Sequence, residues 1–145
     1  MAITFNFEND FKLKKKKVLK HWLKEIAKKY NRKIGELNYI FCDDEYLLNI
    51  NNKYLQHDFY TDIITFDNSV SELLIEGDIY ISTDRVHENA IEFNKPKDEE
   101  LARVLAHGLL HLIGYKDKTE EEVTEMRLAE EDALKMLVAI ILELE

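Results

Sequence analysis

Apolar and polar residues alternate at Ile3, Phe5 and Phe7, the two-residue period of a strand with one buried face. The period then changes. Over residues 11–30, Leu19, Leu23, Ile26 and Tyr30 recur every three or four positions with lysines opposite them, which predicts an amphipathic helix with its basic face outward. Residues 31–35 read as a turn, and alternation returns at Leu37, Tyr39 and Phe41 as a second strand. Asp43 or Asp44 is placed to accept hydrogen bonds from the free N–H groups that open a short helix ending near Leu55. Two apolar runs, 62–66 and 73–81, read as strands joined by a polar turn around Asn68. Ser82 or Thr83 caps a helix to about Phe93, where Asn94 and Pro96 break it. The next helix starts at Pro96 or Lys97, buries Leu101, Val104, Leu105, Leu109 and Leu112, and stops at Gly114. Thr119 and Glu122 form a capping box for the last helix, whose apolar face is Val123, Met126, Ala129, Ala133, Leu137 and Ile140.

These elements predict an α+β fold: a mixed four-stranded sheet packed with about five helices. No internal repeat or low-complexity linker interrupts the chain, so residues 1–145 are expected to form one domain. Strand order cannot be read from periodicity. Apolar residues at 46% and only five Pro and Gly in total exclude a disordered or collagen-like chain. The single cysteine, Cys42, cannot close an internal disulfide and sits between apolar neighbours, where a thiol is core filler more often than nucleophile. A reducing compartment fits. The N-terminus has no basic start followed by an apolar stretch, and no segment reaches the ~18 apolar residues of a membrane span. A soluble, cytoplasmic protein with no membrane contact is expected.

The net charge of −9 argues against a generic nucleic-acid coat. Its distribution matters more. Residues 11–33 hold eleven Lys or Arg and one Glu, a local +10 that leaves −19 on the rest. The run Lys14-Lys15-Lys16-Lys17 reads either as the solvated face of a helix or as a phosphate-contacting patch.

His107 and His111 stand four apart inside an apolar helix, so their imidazoles project from one face and can close on a single ion. Gly114 can end that helix and swing the chain back, returning the Asp117 carboxylate towards the histidines. Three protein ligands leave a place for water, the arrangement of catalytic rather than structural zinc. Cys42 is the alternative fourth ligand, and a histidine pair at helical spacing can also be plain core or interface. Lys116 and Lys118 flank Asp117 and would favour its ionised form, or contact phosphate, or face solvent. This is a zincin-like metal-binding helix without the zincin base. The protease motif HExxH needs a glutamate beside the first histidine, and position 108 is glycine, so ordinary zincin proteolysis is demoted.

The segment Ala106-His107-Gly108-Leu109-Leu110-His111-Leu112-Ile113-Gly114-Tyr115, followed by Asp117 and an acidic helix with Glu122, Met126 and Glu130, resembles the signature of the YbeY endoribonuclease family. Upstream, Leu48-Asn49, Tyr54, Asp58 and Thr61-Asp62-Ile63-Ile64-Thr65-Phe66 are similar to its central block, and Gly77-Asp78-Ile79-Tyr80-Ile81-Ser82 to the strand after it. The resemblance implies a metal-dependent endoribonuclease of ribosomal RNA maturation and ribosome quality control. Its implied partners are precursor ribosomal RNA and the small ribosomal subunit or its proteins. The family binds its ion with three histidines, and Asp117 stands here in place of the third, which is chemically sound for zinc. The family commonly has an arginine, thought to contact RNA, directly after the central-block tyrosine, where this chain has Leu55.

One divalent ion, most simply Zn, would polarise water or a phosphate oxygen and bring the pKa of bound water towards ~7. The nucleophile would be water or the RNA 2′-hydroxyl. No general base is identifiable from spacing; the resemblance leaves His57 as the nearest candidate, and a surface-loop histidine is the rival account. Thr61, Asp62, Thr65 and Lys116 are expected to line a substrate cleft, although Thr61 can equally cap a turn and Asp62 satisfy backbone donors. Asp78, after Gly77, either orients a ligand histidine or forms a turn. The rival function is a ribosome-assembly or RNA-binding factor with weak catalysis and a structural metal.

Overall fold

The computed structural model describes residues 2–55 and 61–144. The alternating N-terminal residues form β1 (Ala2–Phe7), which pairs in parallel with β2 (Lys33–Cys42), Ile3 beside Leu37 and Phe7 beside Phe41. Strand β2 pairs in parallel with β4 (Leu74–Ser82), and β3 (Ile63–Asp67) runs antiparallel along the outer edge of β4. The order is therefore β1-β2-β4-β3, a mixed sheet. The tight β3–β4 connection is locked by Ser69, whose hydroxyl donates to the Glu76 carbonyl and accepts from the Glu76 N–H.

Five helices complete the fold: α1 (Lys16–Lys29), α2 (Asp44–Leu55), α3 (Thr83–Glu92), α4 (Lys97–Ile113) and α5 (Glu120–Glu143). The predicted caps are in place. The Asp43 carboxylate accepts from the Tyr46 N–H, the Ser82 hydroxyl from the Arg85 N–H, and Thr119 and Glu122 cap each other reciprocally.

Two boundaries differ from expectation. Helix α1 begins at Lys16 rather than near residue 11, because Asn9 folds back to accept from the Phe11 N–H and Lys15 takes a left-handed φ of 57°. The Phe11 ring packs instead against Phe7 and Phe41. Strand β2 begins at Lys33, so only the first residues of the expected 31–35 turn are turn. A register shift between Ile34 and Leu37 buries Ile34 and Gly35 in succession, which hides the strand's alternation there.

The sheet has two apolar faces. Leu37, Tyr39, Phe41, Ile75, Ile79 and Ile81 pack into the main core with α1, α4 and α5, while Ile64, Phe66 and Tyr80 meet Cys42 and Leu47 of α2 on the other side. Two buried hydrogen bonds lock the layers: the Trp22 indole N–H donates to the Ala133 carbonyl at 2.7 Å, and the Tyr39 hydroxyl to the Leu105 carbonyl at 2.8 Å. Helix α4 rides close on the sheet at Gly108, where a Cβ would lie 2.9 Å from both Ile63 and Ile79. Closeness there fixes the height of the histidines above β3.

Candidate metal centre

Positions 100, 103, 107 and 111 fall on one face of α4 and carry Glu100, Arg103, His107 and His111. The imidazoles of His107 and His111 stand edge to face, with ring centroids 4.5 Å apart. Helix α4 ends at Gly114, whose φ of 130° is one that residues with a Cβ rarely adopt, and both the Gly114 and Tyr115 N–H groups return to the Leu110 carbonyl. The chain then reverses. Tyr115 anchors the reversal, its ring edge-on to Tyr30 and its hydroxyl 3.1 Å from the Tyr30 hydroxyl. At the far end of the loop, the Glu122 carboxylate accepts from the Lys118 and Thr119 N–H groups. Between these two anchors Asp117 points back to the helix, with Oδ2 3.3 Å from His107 Nε2 and 3.2 Å from His111 Nε2.

The opposite ring nitrogens are also engaged. His107 Nδ1 lies 2.6 Å from Glu130 Oε2, and His111 Nδ1 lies 2.9 Å from the Tyr115 carbonyl oxygen. A carboxylate and a carbonyl only accept, so each Nδ1 is assigned the proton and each Nε2 presents its lone pair towards Asp117. Two imidazole lone pairs and a carboxylate oxygen face one another there, the donor set of a cation site. The donor atoms of His107, His111 and Asp117 all lie within 4.8 Å of one another, and this set could hold a metal ion.

Behind the histidines lies a buried charge network. Glu130 and Glu100 are each 2% exposed, and Arg103 bridges them, donating to both Glu100 oxygens at 2.8 and 2.7 Å and to Glu130 at 3.1 Å. Burial opposes ionisation of Glu130, but hydrogen bonds from His107 and Arg103 and the positive charge of Arg103 outweigh it and hold the carboxyl below its usual range. The orienting carboxylate is thus Glu130. Asp78 does not fill that role: it accepts from Asn38 and Asn68 and serves the sheet and its turn. Nor is Cys42 a fourth ligand. It is fully buried, its thiol hydrogen-bonds to the Ile81 carbonyl, and burial, with help from nearby Asp43, pushes its pKa up to about 12.

The centre opens into a cleft of about 470 Å³ whose walls include Thr61, Asp62 and Thr65 from the β3 side and Asn89, Phe93, Arg103 and Arg127 from the helices. Thr61 donates weakly to the Ile63 carbonyl, and Asp62 accepts from Asn89 while lying 3.8 Å from Arg103. Lys116 is exposed on the Asp117 loop and is not part of the cleft wall. His57 and Asp58 lie outside the described residues. Lys14 to Lys17 are all exposed.

Sequence reasoning missed Glu100, Arg103, Asn89, Phe93 and Arg127, and gave Glu130 no role. One signal was available: Glu130 interrupts the apolar stripe of α5 between Met126, Ala129 and Ala133, a place where an acid needs a buried partner.

A mixed α+β sheet bearing a helix with two histidines, a returning carboxylate and an open cleft defines a metal-binding protein with an accessible, three-donor centre. The chain belongs to the YbeY family: the family model described as Endoribonuclease YbeY matches residues 3–138. It is 52% identical over 134 residues to a protein named Endoribonuclease YbeY from Christiangramia forsetii, spanning 92% of this chain and 93% of that one. It is 53% identical over 132 residues to another of that name from Cytophaga hutchinsonii, spanning 91% and 92%. A solution structure of a Thermotoga maritima protein shares the fold, with a TM-score of 0.66 and 29% identity over 94% of this chain and 89% of that one. No helix among the described residues is long and apolar enough to cross a membrane.

Proposed function

We propose that this chain is a metal-dependent endoribonuclease of ribosomal RNA maturation and quality control, acting in the cytoplasm, with residues 1–145 forming a single domain. Its substrate is a precursor ribosomal RNA, met on the small ribosomal subunit, and its ion is zinc. The observation that carries the reading is the convergence of Asp117 Oδ2 on both Nε2 atoms while Glu130 and Tyr115 hold the two Nδ1 protons. Family membership supplies the substrate class.

A divalent ion at this centre supplies Lewis-acid polarisation of water or of a phosphate oxygen. The remaining work belongs to the protein. His107, His111 and Asp117 contribute one negative charge, leaving a zinc centre net positive and attractive to a phosphodiester. Glu130 accepts from His107 Nδ1 and fixes its ring, and Arg103, held by two carboxylates, keeps Glu130 ionised. Asp62 and Thr65 set the cleft wall opposite the triad. His57 is retained as the candidate general base.

The test is metal analysis of the purified protein coupled to cleavage of a structured ribosomal RNA fragment, comparing the native chain with His111→Ala and Asp117→Ala. Stoichiometric metal and cleavage in the native protein, both lost in the variants, is the expected result. RNA binding without cutting by the metal-loaded native protein would select the assembly-factor reading instead.

A further inference from the structure

Two arginines line the metal cleft, and they are in opposite states. Arg103 is saturated by Glu100 and Glu130, so its charge is spent inside the protein. Arg127 is exposed on α5, and among the described residues no hydrogen bond or ion pair engages its guanidinium. In the lining of the same cleft, Phe93 closes the C-terminus of α3 with 46% of its surface exposed and stacks on no other ring among the described residues. Both residues line two cavities at once. They wall the metal cleft, and they also wall a second groove of about 310 Å³ between α4 and α5, whose lining mixes Lys95 and Lys135 with Glu99 and Glu131.

An unstacked aromatic face and an unpaired guanidinium in the lining of one cleft are what an unpaired nucleotide needs: a platform for the base and a charge for its phosphate. The position argues for the same occupant. A polyanion entering a cleft walled by Asp62 and Asp117 meets Arg127 as the cation with no carboxylate partner among the described lining residues. We propose that Phe93 and Arg127 form a nucleotide subsite at the junction of the two grooves. It binds the unpaired nucleotide next to the scissile phosphate, Phe93 stacking its base and Arg127 pairing with its phosphate. The subsite has little preference among bases, since every base has a π-face. It rests on the ribonuclease reading for the identity of its ligand, and it assigns roles to two residues outside the metal triad.

The test uses the full chain, chelated to keep it from cutting, with a short single-stranded oligoribonucleotide carrying one 2-aminopurine. Binding to the native protein is expected to quench the 2-aminopurine. Phe93→Leu removes the quench and weakens binding by roughly tenfold, and Phe93→Tyr restores both. Arg127→Gln also weakens binding and lowers the slope of log affinity against log salt by about 0.7, the signature of one lost single-strand phosphate contact. Phe93→Leu leaves that slope unchanged, and Arg127→Lys recovers it. Both side chains are exposed, and circular dichroism checks that the variants fold. If Phe93→Leu and Arg127→Gln bind and, once metal-loaded, cut like the native chain, the subsite is wrong while the nuclease reading stands. If the native chain binds and the variants behave as expected but no metal-loaded form cuts, the subsite stands and the nuclease reading falls. A native chain that neither binds nor cuts RNA overturns both.

Discussion

Exchanging Glu130 for glutamine keeps the size of the side chain and removes the charge that His107 and Arg103 share. The amide can still accept from His107 through its oxygen, but without a negative charge, and Arg103 keeps only Glu100 and, at 3.8 Å, Asp62 as anionic partners. Glu130→Gln is therefore expected to weaken zinc binding by about 10- to 100-fold while the fold persists. Competition against a chromophoric chelator measures it directly, and native affinity in the variant would remove Glu130 from the centre. The triad itself was legible in the sequence because its parts lie within eleven residues and follow from helix spacing and one glycine. Glu130 and Arg103 were not, since their roles arise where two helices cross and no local period encodes a crossing.

Helix α4 carries the site, and its height is set by a missing side chain. At Gly108 a methyl group would meet Ile63 and Ile79 at 2.9 Å, so the helix would have to rise from the sheet or the isoleucines shift. Alanine gains up to ~1 kcal/mol of helix propensity, while overpacking costs about 1–3 kcal/mol, so Gly108→Ala is expected to destabilise by about 1 kcal/mol net. Chemical denaturation at fixed metal content reads that difference, and a more stable variant would show that α4 has slack. The same packing explains the demotion of zincin proteolysis: a side chain at position 108 would start into Ile63 and Ile79, where a glutamate could not serve as a base. Caps and apolar stripes made most elements readable. The start of α1 was not, because Phe11 continues the apolar pattern yet is held on the sheet by Phe7 and Phe41, a tertiary preference that local period cannot distinguish from a helical one. The bulge at Ile34 erased the alternation of β2 for the same kind of reason.

Across the whole molecule, an ion at the centre would join α4, the Asp117 loop and, through Glu130, α5. Zinc at a free concentration one hundred times its Kd is expected to stabilise the native state by about 2.7 kcal/mol. For a chain of this size that is a rise in Tm of roughly 5–10 °C. Scanning calorimetry of the native chain and of His111→Ala tests it, since the variant should show no rise; an equal rise in both would place the ion elsewhere. Sulfur has no part in that hold. The sole cysteine is sealed beneath α2 with its thiol protonated, while the ion's donors are nitrogen and oxygen. Peroxide and disulfide exchange, which disarm thiolate-bound zinc by attacking its ligands, find no thiolate among these donors, so the hold on an ion here does not turn on the redox state of a cysteine.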